Sequence, residues 1–408
     1  MTHTKYKISR RELGILATRY GWTTVLLAMG GMSGTVTLGS LAAAAEEKSA
    51  KRQKKAAKHV LKFGASGFNE NNLNIQKSGQ LFFAQDLEDR TDGEIKVEFI
   101  GSNQICGQLD CVQKTQQDIV QIFSASTQNS AGNAPYYNAL DFAFMFPNRA
   151  AQYHFFYSPK SNKVFREPLE KRHKIKFLFT HCELRGLMLG KKWADRPLVT
   201  KIEDLAGTKN RVTGTQLGRI AMQQLNLNPV PIAWEETLDG LRQGLIDGAE
   251  TWMGAAGYAN MSPVLGQAVD LRFFCGTEHT AMNAEVFNKM EPALQEAIME
   301  SSYTAQVHVQ GSHEAALVNI VGATSPPRPG TLFDKFGVKV ATLSKDELRK
   351  IEEMCSPEFK PDPWNSWRTR LDKWSGGQDV YKTIYDIARE IPADTDPINV
   401  KPQRWWKT

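Results

Sequence analysis

Three groupings of side chains in this 408-residue chain have types and spacings suited to chemistry. The stretch GTKNRVTGTQLGR, residues 207–219, plants Arg211 in a short β-like run about to turn into a helix. A guanidinium is costly to desolvate unless an anion meets it, and its planar fork fits a carboxylate through two parallel hydrogen bonds. Taken alone, the plainer reading is a surface arginine or a structural ion pair. His181, Cys182 and Glu183 offer a metal ligand or an acid/base pair, but adjacent side chains on a strand point to alternate faces. His308 and His313, five apart in a helical pattern, do not share a face cleanly. The nucleophile elbow, the paired-histidine zinc helix, the Walker loop and the dinucleotide turn are all missing from the sequence. These residues therefore argue for a binding protein rather than an enzyme, with neither metal nor cofactor.

Charge and cysteine narrow the class. The net charge of +6 invites a nucleic-acid partner, but its location argues against one. Residues 1–62 hold 12 Lys and Arg against 3 Asp and Glu, leaving 38 basic and 41 acidic residues in the rest. The body is thus mildly acidic. The basic excess sits in a leader where Arg10-Arg11 follow Ser9 and precede Leu13, as in a twin-arginine export signal, although Leu13 stands where Phe is commoner and no Lys follows shortly after. An uncharged run from Trp22 to Ala45 ends in small residues suited to cleavage after Ala45, and its glycines, serines and threonines make it polar for a retained membrane anchor. Export by that route implies the periplasm, where disulfides persist. Of five cysteines, Cys106 and Cys111 are spaced to close a small loop, and a bridge and a free thiol are both open there.

The elements that must position these residues alternate. VLKFGAS reads as a first strand; a helical pattern across IQKSGQLFFAQDLEDR stops at TDG, 91–93; EIKVEFI alternates as a strand. The rhythm returns in IKFLFTHC, the helical TQLGRIAMQQLNL, the extended VPIAW, the short helix EETLDGLRQG and the strand LIDGAETW. Alternating strands and helices predict α/β lobes, each around a mostly parallel sheet. A run without proline from Pro292 to about Val321 is long enough to bridge two lobes, SPPRPG at 325–330 breaks the chain, and Ser344 with Glu347 predicts a capped helix.

Several of these segments resemble the DctP-type substrate-binding proteins of TRAP transporters: residues 184–212, 227–250 and 337–348, with NQI at 103–105 and APYYNALDFAFMF at 134–146. The likeness spans roughly residues 60–390. It implies an α/β, two-lobed periplasmic-binding-protein-like fold with a ligand cleft between the lobes and a long bridging helix. It divides the chain into a signal peptide at 1–45, a basic tether at 46–59, lobe I at 60–182 plus about 271–310, lobe II at 183–270 plus about 311–390, and a tail at 391–408. The function it implies is capture of a small carboxylate by lobe closure and delivery to TRAP membrane permease subunits, with no nucleic acid involved. A sensor subunit that presents ligand, or an exported enzyme on a similar scaffold, is the alternative.

The family's carboxylate-pairing arginine falls on Arg211 and a second arginine position on Arg185. Glu236 matches a frequent glutamate that holds an arginine in place, and serves equally as a helix-start carboxylate. Where the family commonly has Asn and Pro after the corresponding strand, this chain has Thr251 and Trp252; Trp252 offers an aromatic wall or a core packing residue. Asn69 and Trp234 are further cleft contacts on this reading. Ala143 replaces a usual Pro, and Phe142, Phe144 and Phe146 alternate in the manner of core residues.

Overall fold

The computed structural model describes residues 57–66, 78–213 and 215–407, with residues 256–258 described for their backbone alone. The leader with Arg10-Arg11, most of the tether, and Asn69 lie outside the described residues.

Two sheets form the framework. The first takes the order β2-β1-β3-β10-β4, from β1 (His59–Ala65), β2 (Ile95–Ile100), β3 (Ile122–Ser126), β4 (Ile175–Thr180) and β10 (Glu278–Asn283). The second takes the order β11-β9-β5-β8-β6-β7, from β5 (Glu183–Gly190), β6 (Lys209–Val212), β7 (Asn228–Pro231), β8 (Gly248–Thr251), β9 (Leu265–Gly276) and β11 (Lys339–Thr342). Helix α1 (Ser78–Arg90) buries Phe82, Phe83 and Leu87, and it ends where Asp92 and Gly93 take positive φ. The expected stop at 91–93 has that cause.

The expectation of mostly parallel sheets is corrected at the crossings. β1 pairs in parallel with β2 and β3, whereas β10 is antiparallel to β3 and β4, and β5 is antiparallel to β8 and β9. The reason is topological. β4 leads into β5 through His181 and Cys182 alone, and β9 leads into β10 through Thr277 alone, so the chain leaves one lobe and returns beside itself in the opposite direction. His181 N donates to Glu278 O at 3.1 Å within this two-stranded link. β7, with Pro229 and Pro231, lies at the sheet edge, where a residue without an N–H is tolerated.

The third link is helix α2 (Pro292–Ala316), continued through Leu317–Val321. It packs on α1 and β4 in the first lobe, and its extension reaches residues 253–258 in the second. Arg149 clamps its C-terminal half by a fork to Glu314 at 2.7–3.0 Å. Ser344 caps α3 (Lys345–Cys355) by accepting from Glu347 N at 3.1 Å, while the Glu347 carboxylate turns instead to Ile202 N at 2.8 Å.

Beyond α3 the chain runs along both lobes. Residues 362–387, placed by the sequence with the second lobe, touch both: Trp367 Nε1 donates to Gln216 Oε1 at 3.1 Å in the second, and the rings of Trp364 and Tyr381 lie 5.7 and 5.2 Å from Phe142 in the first. Phe142, Phe144 and Phe146 are all buried, as their alternation suggested. The tail continues on the first lobe, with Trp405 fully buried beside Tyr157 and under the Arg166 guanidinium.

Candidate functional site

The cleft is built around the open end of β6. Strands β7, β6 and β8 run parallel, and Arg211 sits one residue before the end of β6, where the carboxyl ends of the strands face the first lobe. Its guanidinium is held on three sides. Nε donates to Ile232 O at 3.1 Å, Nη1 reaches Glu250 O at 3.4 Å, and the plane lies over the Trp234 ring at 5.3 Å. Ile232 and Trp234 are delivered by the extended segment and helix start after β7; Glu250 is on β8. Three adjacent elements thus fix one side chain that is only 2% exposed. A charge this buried, fixed by carbonyls and an aromatic face, costs little further reorganisation when an anion arrives.

Arg185 on β5 is equally buried. Its Nη1 meets Glu250 Oε2 at 3.1 Å, both side chains being essentially inaccessible, and its guanidinium covers the Trp252 ring at 4.6 Å. The position of Arg185 depends on an irregularity: the β5–β9 register shifts between Arg185 and Leu187. A Cβ on the intervening Gly186 would fall inside the van der Waals shell of Val269 O, so only glycine admits that approach.

Two small adjoining cavities, one of about 220 Å³ and one of about 10 Å³, occupy the cleft and share Arg211, Trp234, Gln108 and Asn129 in their walls. From the second lobe, Arg185, Thr213, Thr251 and Trp252 line the inner one. From the first lobe come Gln108, Ser126 and Asn129, none of them singled out in the sequence. Gln108 is fixed because its Oε1 accepts from Ser126 N at 2.8 Å and from Asn129 Nδ2 at 3.2 Å. It rides in a short loop closed by the Cys106–Cys111 disulfide, which decides between the two states the sequence left open.

Just beneath, the lobes are joined by side chains. Thr213 Oγ1 donates to Gln128 Oε1 at 3.3 Å, and Gln128 Nε2 donates in turn to Asp141 Oδ1. Burial pushes the Asp141 carboxyl up to about 7, against the lowering effect of the Gln128 hydrogen bond.

The sequence candidates therefore separate. Arg211, Arg185, Thr251, Trp252 and Trp234 come together in the cleft walls. Glu236 does not: it is exposed on the first turn of the helix Trp234–Arg242, and the carboxylate that holds an arginine is Glu250. Helical rotation explains the correction, since Glu235, one residue earlier, faces the outer cavity. His181, Glu183 and His313 gather beside the crossing strands, with Glu183 Oε2 at 3.3 Å from His313 Nε2 and Oε1 accepting from Gly254 N at 3.1 Å. Among the described residues, no group of three or more His, Cys, Asp or Glu side chains is arranged to hold a metal ion. Burial pushes the Cys182 thiol well up and that of Cys275 to about 12, which keeps both protonated and unreactive.

The family model for bacterial extracellular solute-binding protein family 7, DctP, matches residues 66–327. The chain belongs to the DctP family. The DctP chain is 22% identical over 246 residues to the 2,3-diketo-L-gulonate-binding periplasmic protein YiaO of Escherichia coli, covering 57% of this chain and 67% of that one. Among solved structures it resembles a TRAP periplasmic solute-binding protein of Roseobacter denitrificans with bound L-galactonate, with a TM-score of 0.62 at 19% identity over 77% of this chain and all of that one. It also resembles one from Shewanella oneidensis with bound succinate, with a TM-score of 0.65 at 16% identity over 82% and 100%. At such identities the likeness to these structures is one of fold.

Proposed function

We propose that this DctP chain is the extracytoplasmic receptor of a TRAP transporter, which captures a small organic acid between its lobes in the periplasm and passes it unchanged to the membrane permease. The observation that carries the reading is Arg211: a guanidinium, the group whose planar fork matches a carboxylate, buried at a strand end in the wall of a cavity lined by both lobes. Arg185, Trp234, Thr251 and Trp252 would surround the rest of the ligand from one lobe, and Gln108, Ser126 and Asn129 from the other. A ligand that touches both lobes stabilises the closed arrangement by its differential affinity, which is how capture becomes a signal to the permease. The neighbours with bound galactonate and succinate support an organic acid as the ligand class. The leader with Arg10-Arg11 supports the twin-arginine route, and no helix among the described residues is long and apolar enough to cross a membrane.

The test is to denature the purified protein and identify the released small molecule by mass spectrometry. A carboxylated metabolite that rebinds one-to-one and is recovered unaltered is the expected result; a ligand without a carboxylate, or one converted on incubation, would contradict the proposal.

A further inference from the structure

A further cavity, of about 770 Å³, opens on the first lobe and shares no lining residue with the cleft. One wall carries Lys163, Glu167, Lys171, Arg172 and His173. The other is made by residues 374–376, which lie beyond the span 66–327 matched by the family model. Three cations therefore face one anion here, in a body that holds 41 acidic against 38 basic residues from position 63 onward. Lys171 meets Glu167 at 3.3 Å, but both side chains are exposed, and such a pair exchanges readily for another. Lys163 and Arg172 make no ion pair among the described residues. The Arg172 guanidinium lies 4.1 Å over the Trp374 ring, which holds it in place and leaves its N–H donors uncommitted. Arg370, also exposed, lies 5.9 Å from the same ring. The nearby acids are engaged elsewhere: Glu170 with Lys176 and Asn288, Asp372 with the Val380 N–H. Burial, with the Arg172 charge, lowers His173 to about 4, so the ring is neutral; its Nε2 accepts from Tyr136 N at 3.3 Å, which leaves the proton, and a donor, on Nδ1.

We propose that this cavity is a docking site for an acidic segment of a protein partner, with Lys163 and Arg172 receiving its carboxylates and Trp374 positioning Arg172. Polyvalence decides the class of anion. A single exposed ion pair is worth at most about fivefold in affinity, so one small anion gains too little to stay, whereas several carboxylates on one chain combine their contributions. Shape decides against a lipid surface. A bilayer is met by basic side chains standing out from a face, whereas these line a hollow. The site needs no assignment of any residue in the cleft, so it stands or falls separately from the receptor reading.

The test is fluorescence anisotropy of dye-labelled hexaglutamate, with hexaglutamine as control, titrated with the purified protein at about 20 mM salt. One-to-one binding of hexaglutamate alone is expected, weakened about tenfold or more by the double substitution Lys163→Gln with Arg172→Gln. The exposed pair Lys335→Gln with Lys345→Gln, beside β11 of the second lobe, removes the same charge and is expected to change affinity by less than about twofold. Trp374→Leu alters no charge and is expected to weaken binding severalfold, a loss that diffuse attraction to a basic surface would not show; melting curves confirm that each variant is folded. Absence of hexaglutamate binding, equal losses in the two double variants, citrate binding as tightly as hexaglutamate, or tighter binding to phosphatidylcholine vesicles containing phosphatidylglycerol would each overturn the inference.

Discussion

At the scale of single residues, the cost of burying Arg211 explains the rest of the cleft. A guanidinium 2% exposed is stable only if its donors are met, and the carbonyls of Ile232 and Glu250 do so on one side while Trp234 covers a face. The two carbonyls orient the guanidinium within the cleft wall. Removal of one partner of a buried, hydrogen-bonded charge pair costs about 2–5 kcal/mol, or roughly thirty- to several-thousandfold in affinity. Arg211→Ala is therefore expected to lose ligand affinity by at least about a hundredfold while the strand that carries it stays paired, since the β6 ladder uses backbone atoms. Arg211 was legible because the segments around it resemble a family whose carboxylate-pairing arginine falls there; taken alone, a surface arginine or a structural ion pair was the plainer reading. Glu250 was not, because the sequence offered Glu236 at a helix start for the same task, and only register decides which carboxylate reaches Arg185.

Elements bring these residues together, and the one most open to test is the loop closed by Cys106 and Cys111. Gln108 and Leu109 ride on it at the cleft wall, and its closure limits where Gln108 can go in the open and unfolded states. For so short a ring, chain entropy gives about 2 kcal/mol of stabilisation. The paired substitution Cys106→Ser with Cys111→Ser is expected to lower the unfolding free energy by about that amount in urea melts. Ligand affinity should also fall, because Gln108 must then be ordered on binding; unchanged affinity in the folded variant would show that the loop is not needed to place it. The strands and helices themselves were legible wherever a local signal ends them: Asp92-Gly93 after α1, Gly244 at positive φ after the helix Trp234–Arg242, and Ser344 before α3. What residues 362–387 cover was not legible, because an amphipathic helix announces that one face must be covered without saying by what.

For the whole molecule, two lobes and three crossings make closure and stability separable. The paired crossings at 181–182 and 277, with α2 beside them, join the lobes, and Thr213, Gln128 and Asp141 tie them beneath the cleft. The first lobe carries one fully buried histidine, His279, and two half-buried ones, His173 and His308. Burial lowers His279 to about 3 and His308 and His173 to about 4. His279 is fully enclosed, with Tyr137 Oη at 2.6 Å and Phe177 stacked on its ring. Their folded pKa values lie below the unfolded value of 6.5, so the unfolded chain takes up protons first. Stability is complete above about pH 6.5 and declines as pH falls from there toward 4. Glu300, lowered to about 2 chiefly by the Arg404 hydrogen bond, adds a further loss between about pH 4.5 and 2 and takes the tail contact with it. The melting temperature by circular dichroism is expected to fall already between pH 6.5 and 5; a flat profile over that interval would show that these histidines do not stay neutral. The two-lobed class could be read from alternating elements, but the first-lobe wall of the cleft could not, since Gln108, Ser126 and Asn129 reach Arg211 only when the crossings fold the chain back.

The most direct measurement is calorimetric titration of the co-purified acid into stripped wild-type protein and into Arg211→Ala, with melting curves to confirm that both are folded. One-to-one binding by the wild type and at least about a hundredfold weaker binding by the variant is the expected result. Equal affinities in two equally folded proteins would mean that the anion is held elsewhere, and the account of this cleft would be wrong.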